Sequence, residues 1–118
     1  MSYEFKNKQI NPYFPDVTDV FPEEVLENAS ELTLIDVREE SEFTGELGHA
    51  PHSKLIVLST IPENIKSIST DKPIVFICRS GGRSAQASSY AQQQGFKNVY
   101  NMQGGMLMWN QLSLPTVK

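Results

Sequence analysis

Apolar residues in this chain come in short runs, separated by polar breaks rich in proline and glycine. Two runs, "LTLIDV" (32–37) and "IVFIC" (74–78), are continuous and rich in leucine, isoleucine and valine. That is the pattern of strands buried on both faces. "DVTDV" (16–20), "KLIVL" (54–58) and "NVYNM" (98–102) are shorter strand candidates. Between them lie helical patterns. "FPEEVLENAS" has Pro22 and two acidic residues where a helix starts, and "REESEF" suits a single turn. "IPENIKSI" suits a short helix. "SAQASSYAQQQG" predicts a helix from about Ser84 that stops at Gly95, with Ala87, Tyr90 and Ala91 forming a packing stripe. "GGMLMWNQL" predicts a last helix after a Gly-Gly turn. "TGELGHAPHS" and "STDKP" read as loop and turn. Pro12 and Pro15 discourage regular structure in residues 1–15, which read as an N-terminal extension to a domain over 16–118. Strands alternating with helices imply an α/β fold, a mostly parallel sheet covered by helices on both faces.

Composition narrows the function. A chain of 118 residues holds one domain. Its net charge of −4 argues against nucleic acid or an anionic membrane as partner, since both favour a basic face. No run has the length of a membrane span, and the start lacks a signal-type apolar stretch, so a soluble cytoplasmic protein is expected. The single cysteine excludes an internal disulfide and any mechanism that needs a second thiol in the same chain.

That cysteine, Cys78, ends the strongest strand candidate, where ligands bind in parallel sheets. A lone cysteine in such a place is commonly a small buried hydrophobe. The residues that follow, "RSGGRS", point elsewhere. Arg79 and Arg83 bracket the loop with positive charge, and the next helix directs its N-terminus at it; both conditions favour thiolate. Gly81 and Gly82 can take positive φ and turn backbone N–H groups inward as an anion nest, while Ser80 and Ser84 add hydroxyl donors. The loop lacks the G-x4-G-K-[ST] pattern of a nucleotide-binding P-loop. A redox-sensing thiol also fits these features.

Three separated segments together resemble the single-domain rhodaneses, sulfurtransferases of the thiosulfate type. They are "LIDVREESEFTGELGHAP", "IVFICRSGGRSAQAS" and "VYNMQGGMLMWNQLSLP", and the resemblance spans roughly residues 16 to 115. It implies a parallel sheet flanked by helices, with Cys78 carrying sulfur as a persulfide and Arg79 through Ser84 completing its binding loop. It implies no cofactor and no metal. The partners it implies are a small anionic donor such as thiosulfate and a thiol, protein or cyanide acceptor. Cysteine-dependent phosphatases, the nearest rival, resemble C-x5-R; here Arg83 follows in C-x4-R, a shorter ring that suits sulfur. A non-catalytic docking module of the same fold is the contrasting alternative.

Other candidates have structural readings. Asp36 ends a strand and can bond nearby backbone, and Arg38 and Glu42 are spaced for a local ion pair. His49 and His52 lack the further ligands of a zinc site. Met102, Met106, Met108 and Trp109 suit core packing more than a pocket mouth. Where the family has Gly-Ala, the chain has His52-Ser53, so that turn is expected to differ in shape.

Overall fold

The computed structural model describes residues 3–118. Six strands form one sheet in the order β1-β2-β6-β5-β3-β4. They are β1 (Gln9–Ile10), β2 (Thr18–Val20), β3 (Thr33–Asp36), β4 (Lys54–Leu55), β5 (Ile74–Ile77) and β6 (Val99–Met102). Every pairing is parallel except β1 with β2. The helices are α1 (Pro22–Glu27), α2 (Glu40–Phe43), α3 (Ile61–Asn64), α4 (Gly82–Gln93) and α5 (Gly105–Gln111).

The period of two along β5 divides the core. Val75 and Ile77 pack with Val20, Val25, Leu34, Met102, Met106 and Trp109 on the face covered by α1 and α5. Ile74, Phe76 and Cys78 point to the other face, against Ala87 and Ala91 of α4 and Ile61 and Ile65 of the α3 region. Ala87 and Ala91 bring α4 close to the sheet, as the small-residue stripe implied. Met102, Met106 and Trp109 are fully buried, and the indole N–H of Trp109 donates to the Pro115 carbonyl at 2.9 Å. Burying a side chain of this size contributes about 2–3 kcal/mol.

Three local expectations change. The "KLIVL" run pairs as a strand only over Lys54–Leu55; the chain then follows β3 through Ile56 N–H to Asp36 and Leu58 N–H to Val37 before a 3-10 turn at Leu58–Thr60. Helix α4 begins at Gly82, not near Ser84, because Gly81 takes a left-handed conformation that caps it. The early residues are ordered: Gln9 and Ile10 pair with Thr18 and Asp19, and Phe5 is buried in the core. Pro12 and Pro15 lie in the connection between β1 and β2, where they cost no ladder bond. Glu24 of α1 anchors this stretch by accepting from Tyr3 Oη, Lys6 N–H and Asn7 N–H.

Candidate active site

Cys78 follows β5 at its carboxyl end and its thiol is buried. Two groups meet its sulfur. The Gly81 N–H donates to Sγ at 3.1 Å, and the Ser84 hydroxyl oxygen lies 3.2 Å from it. Gly81 has φ +109°, a conformation that glycine adopts without strain and that turns this N–H toward the sulfur. Gly82 does not share it: it is the first residue of α4 and has no positive φ, so the nest rests on one glycine of the pair.

A second glycine turn, between β6 and α5, fixes the rest of the loop. Gly104 and Gly105 have φ +77° and +54°. Beyond them the N–H groups of Met106 and Leu107 donate to the carbonyls of Cys78 and Arg79 at 2.9 and 3.0 Å. In a planar trans peptide the N–H points opposite to the C=O. The N–H groups of Arg79 and Ser80 therefore face away from α5, and among the described residues neither has a protein acceptor. Space at the crossing is tight: a Cβ on Gly105 would sit 2.4 Å from the Cys78 carbonyl oxygen. An open cleft of about 310 Å³ adjoins the outer side of the loop, lined by Tyr13, Phe14, Ser80, Gly81, Gly82 and Gly104.

The two arginines diverge. Arg79 is exposed and makes no ion pair among the described residues. Arg83 makes two 2.8 Å bonds to the Glu42 carboxylate, so its charge is balanced from α2. These bonds hold the Glu42 carboxyl down at about 2 and push the Arg83 guanidinium up. The Arg38–Glu42 pair expected from spacing does not form. Arg38 precedes α2 and lies outside helical geometry; it binds Asp36 instead, with Nη2 to Oδ2 at 2.8 Å, and donates to the Gly48 carbonyl. Asp36 also accepts from the Arg38 N–H, the local backbone bond its position suggested.

His49 is engaged structurally. Its Nδ1 lies 2.8 Å from the Phe43 carbonyl and its ring stacks on Phe43. His52 has φ +70°, the conformation glycine favours, and Ser53 closes the turn through its N–H and hydroxyl to the Ala50 carbonyl.

Cys78, Gly81 and Ser84 thus gather around the sulfur, Arg79 and Ser80 form the rim, Gly82 opens the helix, and Arg83 faces Glu42. Comparison with known proteins matches this frame: the model of the rhodanese-like domain fits residues 21–112. The chain belongs to the rhodanese-like sulfurtransferase family. The YtwF protein of Bacillus subtilis is 45% identical over 86 residues, covering 73% of this chain and 81% of that one. An Allochromatium vinosum protein named sulfurtransferase is 35% identical over 92 residues, 78% of this chain and 84% of its own length. The crystal structure of a rhodanese-related protein from Thermoplasma volcanium superposes with a TM-score of 0.77 at 31% identity, covering 84% of this chain and 96% of that one.

The rhodanese-like frame also contains site-adjacent residues the sequence reading passed over. Asn101 of β6 and Asp19 of β2 are buried behind Ser84. Asn101 and Asp19 left one signal, polar residues inside otherwise apolar strand candidates. The α5 amides left none, because a backbone donor has no letter in the sequence.

Proposed function

We propose that the protein moves sulfane sulfur from thiosulfate, or another sulfane donor, to a thiol or cyanide acceptor through a persulfide on Cys78. The observation that carries this reading is the single thiol set against the Gly81 N–H, with two further loop N–H groups unengaged beside it. The Cys78 thiolate attacks the outer sulfur of thiosulfate; the S–S bond of the donor breaks and sulfite departs with the electron pair. The terminal persulfide sulfur is anionic and is held by the N–H groups of the loop, Arg79 through Ser84. An acceptor thiolate or cyanide then attacks that outer sulfur and Cys78 leaves as thiolate. Cyanide becomes thiocyanate by this route. No metal or organic cofactor enters this scheme.

Arg79, exposed at the rim, is placed to attract an anionic donor, whereas Arg83 chiefly fastens the loop to α2. This division also disfavours phosphatase chemistry, in which the loop arginine must turn to the phosphoryl oxygens; Arg83 is held bidentately by Glu42. Among the described residues no helix is long and apolar enough to cross a membrane. A cytosolic address, where thiols stay reduced, is part of the same proposal.

Thiocyanate formation from thiosulfate and cyanide tests the reading. Wild type should turn over, and Cys78→Ser, still folded by circular dichroism, should lose at least about a thousandfold in rate. Equal turnover in the two proteins would overturn the mechanism.

A further inference from the structure

The cleft beside the cysteine loop has one wall that lies outside the rhodanese-like frame. Tyr13 and Phe14, in the turn between β1 and β2, precede the residues that the family model matches. Asn11 fixes that turn. Its Oδ1 accepts the N–H groups of Tyr13 and Phe14 at 2.9 and 3.0 Å, and its own N–H donates to the Val17 carbonyl. Tyr13 is nevertheless 86% exposed. An aromatic ring on an ordered backbone is contact area already in place before a ligand arrives.

The buried polar side chains that line the cleft are Asn11, Asp19 and Asn101. Both amides are engaged. The Asn101 amide nitrogen donates to Asp19 Oδ1 at 2.9 Å, and its oxygen accepts from Ser84. The Asn11 amide nitrogen donates to the same Asp19 oxygen at 3.0 Å. Asp19 Oδ2 has no partner among the described residues, although Asp19 is only 1% exposed. No fully enclosed side-chain oxygen among those residues lacks a partner, so Oδ2 opens to the cleft that Asp19 lines. Among the described residues no lysine or arginine lines this space. A free carboxyl oxygen at the floor and an aromatic face at the rim suit an ammonium group, whereas an anion would meet no cationic side chain. Gly81 lines the same cleft, and its N–H is 3.1 Å from Cys78 Sγ. An occupant therefore sits against the residue that holds the sulfur, in a space of a small molecule's size.

We propose that this cleft binds the ammonium end of a small aminothiol, the acceptor of the sulfur, and that Tyr13 and Asp19 set the preference for it. The inference rests on the persulfide reading and names its acceptor class. The aminothiol's thiolate bonds to the outer sulfur of the Cys78 persulfide, the Sγ–S bond breaks, and its electron pair stays on Cys78. The acceptor leaves as a persulfide, and no oxidant or reductant enters. Donor and acceptor are then told apart by charge, the anion at Arg79 and the ammonium in the cleft.

Persulfide formation on cysteamine, with thiosulfate as donor, is measured beside that on mercaptoethanol and mercaptopropionate. Each variant is compared with wild type for one acceptor at a time, which cancels the intrinsic reactivity of the thiol. Tyr13→Ala should raise KM for cysteamine about 2- to 5-fold and leave the other two acceptors, and cyanide, unchanged. Asp19→Asn is nearly isosteric. Its oxygen stays with the two amide donors, so its NH₂ replaces Oδ2 and meets the ammonium as a second donor. KM for cysteamine should then rise about tenfold. If Asp19→Asn fails to fold by circular dichroism, Tyr13→Ala decides. Equal changes for all three thiols, or none for cysteamine, would overturn the proposal. Binding is read separately with S-methylcysteamine, which cannot take up sulfur. It should shift the amide resonances of Gly81, Gly82 and Gln103, less so in Tyr13→Ala, and its hydroxyl analogue should not. Such shifts in a chain that never loads sulfur would uphold the ammonium site and fault the persulfide reading. Turnover with cyanide but no shift would overturn the site and leave that reading standing.

Discussion

Two glycine turns lie side by side at the carboxyl ends of neighbouring strands, and they do opposite things with the same backbone chemistry. The turn after β5 presents an N–H to a sulfur; the turn after β6 presents two N–H groups to the carbonyls of the first. One cradles a sulfur and the other is its clamp. Both enter a helix through a left-handed glycine, Gly81 and Gly104. Their neighbours differ. Gly82 has open space where a side chain would sit, whereas Gly105 touches the backbone of Cys78 and Arg79. Hence a Gly-Gly pair in the sequence says little about which glycine is indispensable, and the deciding contact comes from another element.

Replacing Gly105 should break this pairing of turns most severely. In Gly105→Ala the new Cβ meets three backbone atoms of Cys78 and Arg79 within 2.5 Å, at a φ of +54° that alanine resists. We expect a loss of about 3 kcal/mol in stability and near-complete loss of turnover, read by thermal unfolding and thiocyanate assay. Gly81→Ala should cost about 1–2 kcal/mol from its left-handed conformation alone. Gly82→Ala sharpens the contrast. With open space and helical geometry, it should leave stability within about 1 kcal/mol of wild type, and a gain is the expected sign.

The arginines give the next effect. Arg79→Ala should raise KM for thiosulfate several-fold, roughly 3- to 10-fold, with kcat little changed, as expected for lost attraction of an anion. Arg83→Ala should act mainly on thermal stability, by unfastening α2 from the loop. A larger KM effect at Arg83 than at Arg79 would contradict the division between rim and clamp.

The smallest effect is acidic. The bonds from Arg83 hold Glu42 at about 2, below its ordinary value of 4.5. A carboxyl held down in the fold adds stability that is complete above its unfolded pKa and is lost as pH falls through the folded one. Urea unfolding of wild type should therefore weaken between about pH 4.5 and 2. Glu42→Gln should flatten part of that fall.

Much of this architecture was legible because burial leaves a mark on residue type. Ile74–Ile77 is apolar on both faces, and Ala87 and Ala91 bring α4 near the sheet. Cys78 stood out because arginines and glycines followed it. Arg38 and Glu42 misled because helical spacing was assumed across the start of α2. The order in residues 3–10 was hidden because it depends on Glu24, far along the chain, and on a two-residue strand too short to show a period. His52 shows the converse: it occupies a conformation that glycine favours, so the identity of the residue did not reveal the shape of the turn.

The central claim, that Cys78 carries sulfur, is tested most directly by intact-protein mass spectrometry after mixing with thiosulfate. The wild type should gain the mass of one sulfur atom and lose it on addition of cyanide, with thiocyanate released, while Cys78→Ser gains nothing. A wild-type protein that stays unmodified with thiosulfate and with a persulfide donor alike, or a Cys78→Ser protein that loads equally, would contradict the account.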